Sequence, residues 1–223
     1  MSLIEIRPPA TLEEYQQACA VVEDVYHERG ISSQRALHHA KAIFVAVQDG
    51  TVVGAVGFRG GEQGTLPAEY YFGFDVTEVC AFPRAGVFEI IKLAARVRGD
   101  HSVFRGLVAA CAQYAFADQA FDLGLAIVKP TLGQALQHFL RIPARSLQFR
   151  VVPERAAADY PHYFFEGAPP GPVAFQREDR DSYLGQLWAA LGGKATVSTR
   201  DFDHRRDYSL ATGYPTQNEA ILV

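Results

Sequence analysis

The sequence predicts a mixed α/β fold, one domain with a central sheet flanked by helices, and three observations carry that prediction. Short β-rich runs alternate with stretches of helical periodicity along most of the chain. Asp49-Gly50 sits between two such runs, in AIFVAVQDGTVVGAVGFRG, as a type I′ hairpin turn requires. An apolar strand, VFEIIKLAA over 87–95, passes through an arginine-rich glycine loop directly into a helix.

LIEIR (3–7) predicts a first strand, stopped by Pro8-Pro9. TLEEYQQACAVVEDVYHERG predicts a helix. Thr11 and Glu14 form a T-x-x-E capping box, and Gly30 can close the far end. Leu12, Tyr15, Cys19, Val22 and Tyr26 recur at helical spacing as one buried stripe. SQRALHHA predicts a weaker second helix. After the hairpin come a loop with Gly60, Gly61, Gly64 and Pro67, then the aromatic-rich AEYYFGF. Beyond 87–95 the pattern predicts a helix over 102–118, the apolar strand LGLAIV, the helix TLGQALQHFL, and RSLQFRVV and HYFFEG as strands. DRDSYLGQLWAALGG predicts an amphipathic helix capped by Gly192-Gly193, followed by a polar, poorly patterned tail. The chain thus divides into a domain over 1–176 and a C-terminal helix and tail over 177–223.

With 223 residues, 48% of them apolar and 21% charged, the chain can bury one well-packed core. Its net charge of -4 argues against a general nucleic-acid binder. MSLIEIRPPA has no basic segment leading into an apolar one, and no apolar run approaches the roughly 18 residues of a membrane span. Cys19, Cys80 and Cys111 are scattered, odd in number and without a CxxC pair, which predicts reduced thiols in a cytoplasmic protein. His38-His39 lacks metal-ligand spacing, so no metal site is expected. The absence of a G-x-S-x-G elbow argues against a hydrolase of that kind.

The chemistry concentrates on the strand over 87–95. A carboxylate among Val87, Phe88, Ile90 and Ile91 is costly to bury unless it is paired or neutral. Two readings of Glu89 stay open. It serves packing, on a solvated face or in an ion pair with Lys92, or it is a general base whose pKa burial raises into the working range. In a regular strand positions 89 and 92 point to opposite faces. They meet on one face only if a bulge adds a residue, and otherwise Lys92 is a snorkelling surface residue. Downstream, Arg96, Arg98 and Arg105 surround Gly99 at the start of a helix opened by Ser102. A helix N-terminus beside guanidinium groups suits an anion, and the plainer reading is a solvated turn.

In order and in residues, the stretch over about 40–150 resembles the GNAT acyltransferase superfamily. Within it, the resemblance is to the branch of autoinducer synthases, long-chain N-acyl amino acid synthases and the thermostable-hemolysin family. The matching pieces are the hairpin AIFVAVQDGTVVGAVGFR, the strand FEIIKLAA, the helix LVAACAQYAFADQ and the strand-helix pair LAIVKPTLGQALQHFL. That branch carries Glu-x-x-Arg-Leu-Ala on its central strand. Here the run is Glu89-Ile90-Ile91-Lys92-Leu93-Ala94, with lysine keeping the charge but losing planar bidentate contacts. The superfamily's pyrophosphate loop, Arg/Gln-x-x-Gly-x-Gly/Ala, is matched by Arg96-Val97-Arg98-Gly99-Asp100-His101, which ends in a bulky histidine.

The resemblance implies a mixed, mostly antiparallel twisted sheet with splayed central strands. It also implies an N-acyltransferase that moves an acyl group from a pantetheine thioester to the amine of an amino acid or similar small molecule. Glu89 and Lys92 would be catalytic, while Arg96, Arg98, Gly99, Ser102 and Arg105 would hold the donor's phosphate. Tyr70, Tyr71, Phe72 and Phe74 would line an acyl tunnel, or are plain core, and Lys129 lies at a strand end where α/β sheets tend to bind ligands. The donor, acyl carrier protein or acyl-CoA, is a cosubstrate, and no tightly bound cofactor is expected. His101 would obstruct close approach of a CoA pyrophosphate and Asp100 adds negative charge there, so the carrier protein is the expected donor. The alternatives are a short-chain N-acetyltransferase using acetyl-CoA, and a non-catalytic GNAT-like binding or effector protein.

Overall fold

The computed structural model describes residues 2–31, 37, 40–96, 101–138 and 143–199. Most of the predicted helix SQRALHHA, the His38-His39 pair, Arg98, Gly99, Asp100 and the tail from 200 lie outside the described residues.

One mixed sheet organises the chain. Its strands are β1 (Ile4–Arg7), β2 (Ala42–Gln48), β3 (Thr51–Gly60), β4 (Val87–Ala95), β5 (Leu123–Val128), β6 (Arg145–Ser146), β7 (Gly171–Gln176) and β8 (Ala195–Val197). They lie in the order β6-β7-β5-β4-β3-β2-β1-β8. Only β1–β8 and β4–β5 pair in parallel. The β2–β3 turn has Asp49 and Gly50 at φ 51° and 75°, the left-handed pair that matches the twist of a two-residue hairpin.

The helices are α1 (Leu12–His27), α2 (Pro67–Phe72), α3 (Val76–Val79), α4 (Ser102–Ala112), α5 (Pro130–His138), α6 (Pro153–Asp159), α7 (Pro161–Phe165) and α8 (Arg180–Leu191). α1 starts as its capping signal predicts. Thr11 accepts from the Glu14 N–H at 3.2 Å, and Glu14 reaches back to the Ala10 N–H while Arg7 grips both its oxygens at 2.8 Å. Of its predicted stripe Tyr15 and Val22 are buried and Leu12, Cys19 and Tyr26 half-buried, while Ala18, Val21 and Val25 are buried beside them, packed on Val45, Val47 and Ala94. α4, α5 and α8 cover the opposite face through Leu107, Leu136 and Leu187. α4 continues into a π-helical segment over Gln113–Asp118, so the predicted helix over 102–118 is present with its end widened. α8 ends at Gly192 and Gly193, both at positive φ.

Two expectations are corrected, and one strand is added. HYFFEG forms α7 rather than a strand: Pro161 takes the first helical position, and Tyr160, Tyr163 and Phe164 pack at helical spacing. RSLQFRVV contributes only the two residues of β6, because its later backbone turns away to α2, where the Val152 N–H meets the Tyr71 carbonyl at 2.7 Å. GPVAFQ, for which no element was predicted, forms β7, and its Pro172 is tolerated because the neighbour β6 is so short.

β4 and β5 pair only over Val87–Glu89 with Leu123–Leu125. Beyond Glu89, β4 stays with β3 and β5 stays with β7, so the two central strands part.

Candidate active site

β4 carries one residue more than the strand beside it. Ala55 pairs with Ala94 and Gly57 with Ile91, so Lys92 and Leu93 together oppose Val56. Lys92 takes φ 53°, a left-handed conformation uncommon outside glycine. Gly57 allows the close approach: a Cβ there would stand 2.9 Å from Ile91 Cγ1. The bulge resets the alternation. Glu89, Ile91 and Lys92 line a cavity on the α1 face, whereas Phe88, Ile90 and Leu93 border a second cavity on the α4 face. The condition for Glu89 and Lys92 to share a face is met.

The first cavity measures about 390 Å³ and opens where β4 leaves β5. Glu89 is only 1% exposed and accepts from the Ala68 N–H, in the first turn of α2, at 2.9 Å. Burial pushes its carboxyl up to about 8, against the opposing pull of that hydrogen bond and of the Arg59 charge. A carboxyl of this kind can exchange a proton near neutral pH with a group in the cavity. Lys92 Nζ donates to the Tyr160 hydroxyl at 2.8 Å and stands 5.2 Å from the centre of the Tyr26 ring. Tyr71 donates to Asp159 at 2.8 Å, and burial pushes the Tyr71 and Tyr26 phenols well above their usual range.

α2, which supplies Tyr70, Tyr71 and the Ala68 N–H, is fixed by the buried Glu69. Its carboxylate accepts both terminal nitrogens of Arg84, at 2.6 and 2.7 Å, and the N–H groups of Leu66 and Val76, each at 2.8 Å. A buried charge so fully partnered is a structural anchor.

The second cavity, about 60 Å³, is apolar throughout apart from one tyrosine, Tyr183. Phe88, Leu93, Phe104, Phe116 and Val128 line it, and Ile90 borders both cavities.

Of the residues singled out in the sequence, Glu89, Lys92, Tyr70 and Tyr71 come together in the first cavity. Phe72 and Phe74 do not: Phe72 packs on Phe164, and Phe74 stacks on Phe149 at 4.4 Å. Lys129 donates to the carbonyls of Glu166 and Ala168, both at 3.0 Å, and ties down the end of α7 outside that cavity. Arg96 pairs with Asp24 on the surface, and Arg105 donates to the Ala190 carbonyl at 3.3 Å. Ser102 is buried at the start of α4, beside an exposed His101. Arg59, Asp159, Tyr160, Tyr163 and Tyr26 complete the first cavity without having been read as site residues. The signal for Tyr160 and Tyr163 was their helical spacing with Phe164, and for Arg59 a charge at the end of an otherwise buried strand. Among the described residues no three His, Cys, Asp or Glu side chains cluster as a metal site, and no helix is long and apolar enough to cross a membrane.

Comparison with known proteins gives one family match, to the family described as N-acyl amino acid synthase FeeM, over residues 17–142. Among solved structures, FeeM itself, an N-acyl amino acid synthase from uncultured soil microbes, superposes with a TM-score of 0.57 at 16% identity, covering 85% of this chain and 99% of that one. BjaI, a CoA-dependent acyl-homoserine lactone synthase solved with SAM and isopentyl-CoA, gives 0.59 at 14% identity over 94% of this chain and 100% of its own. The acyl-homoserine lactone synthase LasI gives 0.53 at 11% identity, with 90% and 100% coverage. No curated protein matches the sequence significantly. At these identities the structural likeness speaks for the fold.

Proposed function

We infer the reaction from one premise: this chain belongs to the N-acyl amino acid synthase FeeM family and is an acyltransferase. Its donor is a pantetheine thioester and its acceptor the amine of an amino acid or similar small molecule. The observation that carries this reading is Glu89, a buried carboxyl pushed up to about 8 at the point where β4 and β5 part. The pantetheine arm enters that gap, the acyl chain passes Ile90 into the apolar cavity, and the acceptor occupies the polar one.

The neutral amine attacks the thioester carbonyl carbon. The C–N bond forms as the carbonyl electron pair moves to oxygen, and the C–S bond breaks when that pair returns. The amine's proton passes to Glu89 and on to the departing sulfur, so amide and thiol are the products. Lys92, steadied by Tyr160, places positive charge beside the developing oxyanion. The donor's phosphate is assigned to the first turn of α4, with Ser102, Arg96 and Arg105 as the described groups, while Arg98 and Gly99 lie outside the described residues. Carrier protein is preferred over free CoA because His101 crowds the place of a pyrophosphate, although BjaI is described as CoA-dependent. The small volume of the apolar cavity favours a second reading on one point, a short acyl chain over a long one.

Thiol release, followed with matched acyl-CoA and acyl carrier protein donors of graded length and the twenty common amino acids, tests the assignment. Amide formation with at least one pair is expected, with the higher specificity constant for the carrier-bound donor. No turnover with any pair would leave a binding protein, and equal use of CoA would remove the role given to His101.

A further inference from the structure

Arg59 stands out in the polar cavity because its side chain finds no hydrogen-bond or ion-pair partner among the described residues. It lines the cavity directly across the β3–β4 ladder from Glu89, and half of it is buried. Its Nε is buried without a hydrogen-bond partner, and no ion pair to it exists among the described residues. A desolvated, unpartnered guanidinium is costly unless a ligand completes it. The other charges of the cavity are engaged: Lys92 by Tyr160, Asp159 by Tyr71, and Glu89 by the Ala68 N–H. Of the charged side chains lining the cavity, Arg59 is the one with no hydrogen bond among the described residues.

We propose that Arg59 receives the carboxylate of the acceptor, so that the site selects free α-amino acids over amines lacking a carboxylate. This rests on the acyl-transfer reading of the same cavity. The spacing fits. Side chains directly opposite on an antiparallel pair start about 5 Å apart, and an α-amino acid presents amine and carboxylate from a single carbon. With its carboxylate on the Arg59 fork, its amine falls toward Glu89. A planar guanidinium takes a carboxylate through two parallel hydrogen bonds, which fixes orientation as well as position.

The test uses the full chain and the best acceptor among the twenty common amino acids, compared with its primary amide and with the amine lacking the carboxylate. For the wild type, the specificity constant should fall on the order of 10- to 100-fold from acid to amide. Arg59→Met should raise the acceptor KM by a similar factor, leave the donor KM unchanged and abolish the acid-to-amide ratio. The amide's more acidic ammonium affects both proteins alike and cancels in that comparison. Arg59→Lys should restore part of the ratio. If wild type uses amide and acid equally, or if Arg59→Met slows both in proportion, Arg59 acts only through Glu89 or the donor and the proposal is overturned. Calorimetric binding of the same acid and amide to wild type and Arg59→Met separates the two claims. Carboxylate-dependent binding without turnover would overturn the reaction and keep the site, whereas equal binding of acid and amide would overturn the site whatever the turnover.

Discussion

Two cavities press on one strand from opposite sides, and they are chemically unlike. The cavity on the α1 face gathers Glu89, Lys92, Arg59 and Asp159 among tyrosines, while the one on the α4 face is lined by phenylalanine, leucine and valine. Strict alternation along β4 would have sent Lys92 to the second group, beside Phe104 and Phe116. An ammonium there would be uncompensated, at a cost of several kcal/mol. The one extra residue opposite Val56 prevents this and sorts every charge to one side. A bulge of this kind does more than bend a strand, since it decides which solvent each side chain meets.

The largest expected effect is on the polar side. Glu89→Gln keeps the shape and the acceptor of the Ala68 N–H but removes the titrating group, so acyl transfer should fall on the order of 100-fold or more. A folded Gln variant with wild-type rates would end the assignment. The wild-type rate should also rise with pH around 8, and that limb should be missing from the residual activity of the variant.

Lys92 sharpens the contrast between backbone and side chain. Lys92→Met deletes the charge and keeps the bulge, and should lower kcat roughly 10- to 100-fold, the scale of one lost oxyanion partner. Lys92→Gly relaxes the positive φ as well, so it should be the more heat-stable of the two while equally slow. If Lys92→Met alone retains full kcat, the charge is there for packing.

On the apolar side, Phe104→Ala lengthens the cavity without touching a charge. The preferred donor should grow by two or so methylenes, with roughly a 10-fold change in relative specificity constants. An unchanged chain-length profile would show that the acyl group lies elsewhere.

The smallest effect is on stability. The folded chain holds a proton on Glu89 up to about 8, whereas an unfolded glutamate releases it near 4.5. The unfolded state therefore binds fewer protons between those values, and wild-type stability falls as pH rises through that window. Glu89→Gln does not titrate. Its melting temperature should match that of the wild type below pH 4.5 and exceed it by several degrees at pH 8, on the order of a few kcal/mol. A constant difference across that range would contradict the buried, protonated carboxyl.

The same contrast explains what was legible beforehand. β2, β3, β4 and α8 could be read because their signals are local: Asp49-Gly50, an apolar run of nine residues, and Gly192-Gly193. Proline carried the decision at α7, where it opens a helix in a run that predicted a strand, and at β7, a strand for which no element was predicted. Glu89 and Lys92 were visible as polar residues in an apolar run, but the bulge joining them depends on register against Gly57. A glycine inside a strand is the one sequence sign of it. Arg59 and Tyr160 left only faint signs, a charge at the end of a buried strand and a tyrosine at helical spacing with Phe164. Each gains its meaning from a residue across the fold: Arg59 lies opposite Glu89, and Tyr160 meets Lys92 from 68 positions away.

The outermost ladder of the sheet joins the two most distant parts of the described chain. Ile4 pairs with Ala195 and Ile6 with Val197, while β2 and β3 close through two residues. Loop-closure entropy makes the hairpin an early event and the β1–β8 ladder a late one, formed only when α4 and α8 have brought its ends together. β8 is also three residues long and half-buried, with little apolar surface to hold it. The parallel edge therefore opens more readily than the hairpin, and its amides, from Ile4 to Ser198, should exchange with solvent well before those of β2 and β3. Both cavities lie against β4, with β3 and β2 between them and that edge, so the site can stay assembled while the edge opens.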